Sequence, residues 1–150
     1  MPEIDKILQE QLKKVMPAEE SLKKIKKAAD ELIEKINKQL KGKAEAFMGG
    51  SLAKGTLIKR KKYDIDIFVR FNEKYEKKIS SLLYDALRKI KVNRIKLERI
   101  NASRDYFNLF VKHGEMKILF EIVPTLRIDK PGKAKNTTDL SFFHIQYIKN

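Results

Sequence analysis

The 150-residue chain has 42% hydrophobic residues and a formal net charge of +14, from 34 lysines and arginines against 20 aspartates and glutamates. This length and composition fit one globular domain with a real core and exclude a disordered chain. There is no cysteine, hence no disulfide or thiolate metal site, and no apolar run suited to spanning a membrane or acting as a secretory signal.

The net charge indicates the kind of partner, and the absence of a targeting signal indicates the compartment. A surplus of this size on a small domain favours a polyanionic partner, most simply nucleic acid. The alternative is that lysine-rich helices are merely solvated faces. The expected localisation is cytoplasmic, with no membrane partner.

Hydrophobic residues at helical spacing predict two helices before the first strand. The first covers about residues 4–15 and ends before Pro17, which cannot continue a helix. The second covers about residues 19–40, with lysines on its outer face, and Gly42 is suited to its C-cap. A short strand is predicted over residues 44–48.

The second half of the chain alternates strands with one further helix, over about residues 75–91. Pro124 is predicted to close the last strand, and Asp139 to cap a final helix. The predicted strands cover residues 64–71, 94–100, 106–111 and 116–123, and the last two form a hairpin. This order predicts an α+β fold, with a mixed or antiparallel sheet and two N-terminal helices packed on it.

Two aspartates spaced two apart begin the first long strand. Because side chains alternate along a strand, Asp64 and Asp66 share one face, while Ile65 and Ile67 point into the core. Neighbouring carboxylates repel each other unless a cation lies between them, and their hard oxygen atoms suit Mg²⁺. The alternative is the solvated face of an edge strand.

A glycine turn with a basic extension precedes the aspartates. Gly49, Gly50, Ser51 and Lys54 could present N–H groups, a hydroxyl and an ammonium to a phosphate chain, although Gly-Gly-Ser alone is more often an ordinary turn. The basic link that follows is Lys59, Arg60, Lys61 and Lys62. It could contact an RNA backbone or nucleotide phosphates, or form a solvated loop. Metal ligands beside a phosphate cradle favour phosphoryl or nucleotidyl transfer.

A third carboxylate, Glu121, interrupts an otherwise apolar strand. It could be an edge glutamate paired with Lys117, which lies on the same face of the strand. The functional interpretation places this strand beside the strand of Asp64 and Asp66. The three carboxylates would then form one metal cluster.

Together these motifs resemble the DNA polymerase β-type nucleotidyltransferase superfamily, and most of all the N-terminal catalytic region of archaeal class I CCA-adding tRNA nucleotidyltransferases. The superfamily's Gly-Ser-x-x-(Lys/Arg)-x-Thr segment is similar to residues 50–56, and its acidic-x-Asp strand to residues 64–66. Its third acidic strand is similar to residues 121–124, and an Asp…Phe-His segment to residues 139–144. The resemblance covers nearly the whole chain.

The resemblance implies attack of a tRNA 3′-hydroxyl, or another RNA 3′ end, on the α-phosphate of CTP or ATP, assisted by two Mg²⁺ ions. It assigns catalysis and metal binding to Asp64, Asp66 and Glu121. It assigns nucleotide binding to Gly49, Gly50, Ser51, Lys54 and His144. A lone histidine is a weak signal, and a helix-surface position is an equally good interpretation of His144.

The chain also departs from the family pattern. Family members commonly carry Glu then Asp on the central strand and Asp at the third position, where this chain has Asp64, Asp66 and Glu121. Lys54 stands where an arginine is common, which keeps the charge and loses the bidentate fork.

The family's enzymes continue into helical and RNA-binding regions. Residues 1–150 are therefore expected to be a catalytic domain without those regions: a fragment, part of a split enzyme completed by a second polypeptide, a homo-oligomer, or a minimal transferase. Two other functions stay open. One is an oligoadenylate-forming, cyclic-dinucleotide-forming or protein-modifying transferase of the same superfamily. The other is a basic RNA-binding subunit with a degenerate site.

Overall fold

The computed structural model describes residues 4–8, 10, 19–49, 62–128, 134 and 139. These residues form a mixed five-stranded sheet with two long helices against one face, so the predicted α+β class is confirmed. The elements in chain order are α1 (Glu19–Gln39), β1 (Ala44–Met48), β2 (Lys62–Phe71), a 3₁₀ turn (Glu73–Tyr75), α2 (Ile79–Lys89), β3 (Arg94–Ile100), β4 (Tyr106–His113) and β5 (Met116–Leu126).

The sheet has the strand order β1-β2-β5-β4-β3. β2 and β5 run parallel, whereas the other three neighbouring pairs are antiparallel. A parallel pair needs a long crossover, and here α2 and the β3–β4 hairpin lie between the two strands in the chain. The two strands that carry the predicted carboxylates are therefore central neighbours.

The core lies between the sheet and the two helices. In β2 every second residue from Tyr63 to Phe71 is buried, as the alternation of a half-buried strand requires. The helices contribute apolar stripes at helical spacing, while most lysines of α1 remain exposed. The buried residues of α1 are Ile25, Ala28, Ala29, Leu32 and Ile36, and those of α2 are Ile79, Leu83, Ala86 and Leu87.

The boundaries of α1 and β1 agree with the sequence prediction. α1 begins with Glu19 and Glu20, whose charges favour a helix N-terminus. It is followed by a turn in which Gly42 has φ +80°, a left-handed conformation that glycine adopts without strain. β1 starts two residues later. No helix among the described residues is long and apolar enough to cross a membrane.

The helix predicted over residues 75–91 begins later than expected. The Asn72 side chain accepts a hydrogen bond from the backbone N–H of Lys74 at 3.2 Å, which starts the 3₁₀ turn instead. The α-helix itself begins at Ile79, the first buried residue of its apolar stripe. The local hydrogen bond of the asparagine side chain therefore determined the structure at this point, rather than the helical spacing of the apolar residues.

Pro124 does not close β5, and that prediction was wrong. The N–H of Arg127 donates to the carbonyl of Phe71 in β2, whereas the N–H of Leu126 points the other way, to the side chain of Asp139. By alternation the nitrogen of Pro124 also faces away from β2. β4 no longer pairs with β5 at that point, so the missing N–H breaks no ladder bond.

Two further expectations differ from the structure. Residues 4–8 are helical, but Ile4, Ile7 and Leu8 are each more than half exposed, so the described part of the first helix does not pack on the sheet. In the strand predicted over residues 94–100, alternation places Ile95 on one face with Leu97, but Ile95 is 57% exposed. β3 is an edge strand, and Ile95 is the extra residue where its register with β4 shifts between Arg94 and Lys96, so the regular alternation is interrupted there.

A buried ion pair joins the loop after β3 to the segment after β5. The guanidinium of Arg104 contacts both carboxylate oxygens of Asp139, with one N–O distance of 3.3 Å. The same carboxylate accepts the backbone N–H of Leu126 at 2.8 Å, and its side chain is fully buried. Asp139 was predicted as a helix cap. In the structure its carboxylate fixes β5 and the β3–β4 loop to each other.

Replacing Asp139 by alanine should lower the free energy of unfolding by about 3–5 kcal/mol, because the change leaves the Arg104 charge and the Leu126 N–H unsatisfied in a buried site. Urea unfolding measures this loss. The matched control is Asp105→Ala, which breaks the more exposed Arg99–Asp105 pair of the same loop and should cost at most about 1 kcal/mol. Equal losses in the two variants would contradict the assignment.

Candidate active site

Asp64 and Asp66 lie on the face of β2 that the two helices leave open. Their neighbours Ile65 and Ile67 are buried on the helix side, while Asp64 is exposed and Asp66 is partly buried. β2 lies between β1 and β5, so it is not an edge strand. The interpretation of the aspartate pair as an ordinary edge-strand surface does not hold.

Glu121 lies directly beside Asp66. The parallel register pairs Asp66 with Glu121 across β2 and β5, so the two carboxylates project from neighbouring positions on the same open face. The pKa of Glu121 is raised, first by burial, then by a hydrogen bond with the Asp66 side chain, and then by the negative charges of Asp66 and Asp64. The fold therefore holds like charges together at this point.

Lys117 does not pair with Glu121. It is exposed and lies opposite Lys62 and Lys112 at the start of β5. Among the described residues, no lysine or arginine forms an ion pair with Glu121. β5 is also a central strand. The alternative of an edge glutamate balanced by a neighbouring lysine is therefore wrong.

The three carboxylates fit a divalent cation in their chemistry, and two of them, Asp66 and Glu121, are direct neighbours across β2 and β5. Their oxygen atoms are hard ligands on adjoining strands, and the charges of Asp66 and Asp64 act on Glu121. A bound cation would reduce the repulsion between these carboxylates. In the described part of the chain, no three His, Cys, Asp or Glu side chains already surround a common point.

Gly49 lies beside the second aspartate. Its N–H donates to the backbone carbonyl of Asp66 at 2.8 Å, and Gly49 is buried. This bond extends the β1–β2 ladder by one residue beyond Met48. The other predicted nucleotide-binding residues, Gly50, Ser51, Lys54 and His144, lie outside the described residues, as do Lys59, Arg60 and Lys61 of the basic link. Lys62 is the first residue of β2.

An aromatic pair on the open face was not predicted from the sequence. Phe68 follows Asp66 by two residues and is paired in register with Phe47 of β1. The two rings stack with centroids 5.6 Å apart at an interplanar angle of 23°. Phe47 had been expected only as part of a short strand. The signal that could have identified the pair is the position of Phe68 in phase with the aspartates on the polar side of β2.

Asn108 was also missed. It lies in β4, opposite Glu121 in β5, and between the buried residues Phe107 and Leu109. Asparagine is depleted in strands, so its presence in an apolar run was the available signal.

A basic cavity of about 210 Å³ lies at the far end of the same sheet. Arg70 lines this cavity and lies on the same face of β2 as Asp66. It is four residues further along the strand, which puts the two residues about 13 Å apart. The Arg70 guanidinium donates to the carbonyl of Ile128 at 3.3 Å, which orients its side chain. The lining residues are Gly42, Lys43, Ala44, Glu45, Arg70, Asn72 and Arg127, three cations against one carboxylate.

Comparisons with known proteins agree with this architecture. The nucleotidyltransferase domain family matches residues 29–123, more than half of the chain. The chain is 42% identical to a CCA-adding enzyme of Nanoarchaeum equitans over 135 residues, and 31% identical to that of Methanocaldococcus jannaschii over 158. These matches cover 89% and 97% of this chain but only 32% of each relative.

Solved structures share the fold at low sequence identity. The Cid1 RNA terminal uridylyl transferase superimposes with a TM-score of 0.67 at 17% identity, covering 98% of this chain and 42% of that one. A cytoplasmic RNA terminal U-transferase gives 0.59 at 18% identity, covering 99% and 40%. These similarities confirm the predicted fold.

The chain thus spans about one third of the archaeal relatives it matches, and the resemblance to their family, predicted from its motifs, is confirmed. From its sheet, its match over residues 29–123 and these relatives, the chain belongs to the nucleotidyltransferase domain family.

Proposed function

We propose that residues 1–150 form the catalytic domain of a CCA-adding enzyme, which adds nucleotides from CTP and ATP to the 3′ end of tRNA. The observation that carries this proposal is the pairing of Asp66 with Glu121 on central parallel strands, with Asp64 on the same open face. The archaeal relatives named CCA-adding enzymes support the choice of reaction.

The residues of the chain divide the chemistry between them. Asp64, Asp66 and Glu121 would hold the two divalent cations of the reaction. When bound, Mg²⁺ lowers the pKa of that hydroxyl and neutralises charge on the leaving pyrophosphate. The hydrogen bond from the Gly49 N–H to the backbone carbonyl of Asp66 fixes Gly49 beside the carboxylates. Gly50, Ser51 and Lys54 would then grip the triphosphate, and His144 would approach the nucleotide.

The Asp66→Asn variant should lose more than about a hundredfold in nucleotide incorporation, because loss of a metal ligand should exceed the 10–100-fold cost typical of outer-shell changes. The assay uses labelled CTP or ATP, Mg²⁺ and tRNA that lacks its 3′ CCA. Asp85→Asn, an exposed change on α2, is the matched control and should retain activity. Incorporation that survives in Asp66→Asn contradicts the assigned roles.

The products of the same assay separate the other candidate functions. CCA on tRNA supports the proposal. Oligonucleotides made without a primer, cyclic dinucleotides or labelled protein would assign the chain to another transferase type. Binding of RNA without Mg²⁺-dependent triphosphate binding in calorimetry would leave only an RNA-binding subunit.

Glu121→Gln should stabilise the metal-free protein at neutral pH. Because the pKa of Glu121 is raised in the folded state, its contribution to stability is complete below its unfolded pKa and is lost as pH rises through the folded value. Glutamine imitates the protonated acid and removes this loss. Urea unfolding in EDTA should give a higher midpoint for the variant at pH 7.5 and equal midpoints near pH 3.5.

Mg²⁺ should stabilise the wild-type protein and have little effect on Glu121→Gln, since cation binding to the folded state raises its stability. A variant that is less stable than wild type at pH 7.5 without metal would contradict the repulsion at this site.

The basic cavity supplies a path for the RNA backbone. Lys43, Arg70 and Arg127 line it, and Arg70 lies on the carboxylate face of β2. An RNA whose 3′ end reaches Asp66 could run along this face and place a phosphate about 13 Å away, at Arg70. The net charge of +14 supports a polyanion there.

The double variant Arg70→Gln, Arg127→Gln should weaken RNA binding. The slope of log K against log salt should fall by about 0.7 for each phosphate of the single strand that the variant no longer neutralises. Fluorescence anisotropy with labelled tRNA at several salt concentrations measures the slope. The matched control is Arg88→Gln, Lys89→Gln on α2, which removes the same charge from the helix layer. Equal slopes in the two double variants would contradict the path.

A further inference from the structure

The carboxamide of Asn108 lies in the row of polar side chains that crosses the open face. It is paired in register with Glu121 of β5 on one side and with Glu98 of β3 on the other. Its oxygen, Oδ1, is shielded from solvent and accepts no hydrogen bond within the described part of the chain. Asn108 is therefore a half-buried residue whose shielded Oδ1 atom lies in the strand between two glutamates.

An unpaired buried acceptor is unfavourable for folding, because it loses its hydrogen bonds to water without replacement. Asparagine also disfavours a strand, and the flanking residues Phe107 and Leu109 are buried apolar groups. A leucine at position 108 would have a similar size and no unsatisfied atom. Stability of the strand therefore does not explain the asparagine.

The neighbours of Asn108 cannot supply the missing donor. An ionised carboxylate at Glu121 or Glu98, the two register partners of Asn108, only accepts hydrogen bonds. Glu98 forms an ion pair with Lys96, whose register partner is Phe110 rather than Asn108. Within the part of the chain that the structure describes, Oδ1 therefore has no donor, and a bound molecule would supply one.

We propose that Asn108 positions the divalent cation of the site by accepting a hydrogen bond from its hydration shell. This inference rests on the proposed function, which assigns the cation to Asp66 and Glu121. Mg²⁺ keeps several of its waters in protein sites, and those waters donate outward. A carboxamide oxygen next to Glu121 in the sheet is an acceptor for such a donor. Asn108 touches neither nucleotide nor RNA in this role and acts through the cation.

The test measures both the stability of the protein and its affinity for metal. Loss of a residue with a purely structural role at this site would lower both, whereas loss of a residue that positions the cation would lower only the affinity. Asn108→Leu removes the acceptor at similar volume, so in EDTA its urea midpoint should equal or exceed that of wild type. Its dissociation constant for Mn²⁺, measured by calorimetry, should rise about 10- to 100-fold, as is typical when an outer-shell partner of a metal is removed. Asn108→Asp keeps an acceptor oxygen and should restore Mn²⁺ affinity, with a lower midpoint in EDTA.

Asn93→Leu is the matched control. The Asn93 side chain donates to the carbonyl of Lys112 at 2.9 Å, so this change should lower the midpoint and leave the Mn²⁺ affinity unchanged.

Two results would overturn the inference about Asn108 alone. One is wild-type Mn²⁺ affinity in Asn108→Leu. The other is a lower midpoint for Asn108→Leu in EDTA, which would show that the amide stabilises the fold itself. A wild-type protein that binds no Mn²⁺ would instead overturn the metal assignment of Asp66 and Glu121, and this inference with it.

Discussion

The parallel pairing of β2 with β5 is the constraint on which the rest of the structure depends. It brings Asp66 and Glu121, 55 positions apart in the sequence, to neighbouring places on one face. Burial and the neighbouring carboxylates raise the pKa of Glu121, so the fold works against the ionisation of this one side chain. Such an arrangement persists because the other face of the same strands is a fully buried core, which supplies the stability that the open face lacks.

Each face of the central strands therefore has a separate task. On the helix side, the odd-numbered residues of β2 and the even-numbered residues of β5 pack against α1 and α2. On the open side lie the acids, the Phe47–Phe68 stack and the Asn108 amide. Because side chains alternate along a strand, the residues of the core and those of the open face point in opposite directions and do not contact each other across the strand. Polar groups that are unfavourable for folding are confined to the open face, as is common at functional sites.

The charge at the candidate site is opposite in sign to the net charge of the chain. The chain as a whole has a strong positive charge, while Asp64, Asp66 and Glu121 lie on the open face of the neighbouring strands β2 and β5. In the proposed function, cations at the carboxylates and basic side chains along the same face act on one polyanionic substrate. The cavity lined by Lys43, Arg70 and Arg127 places positive charge on this face at the far end from Asp64.

Local structure could largely be predicted from the residues alone. The apolar stripe of α1, the turn at Gly42, the alternation of β2 and the β4–β5 hairpin follow from periodicity and from the conformational freedom of glycine. Asp64, Asp66 and Glu121 could be selected because charged residues in apolar strands need a reason. Errors arose where local hydrogen bonding or neighbouring strands decided the outcome, as in the 3₁₀ turn at Asn72 and the tolerated Pro124 in β5.

The sequence by itself determined which side chains share a face of each strand, because alternation is a property of one strand. Only the tertiary structure decided which strands are neighbours and in what register, because that depends on contacts between distant segments. Register is what set Glu121 beside Asp66, Asn108 beside Glu121, and Phe47 beside Phe68. The tertiary structure also gave the carboxylate of Asp139 its partners, Arg104 and Leu126, which no local pattern around position 139 could indicate.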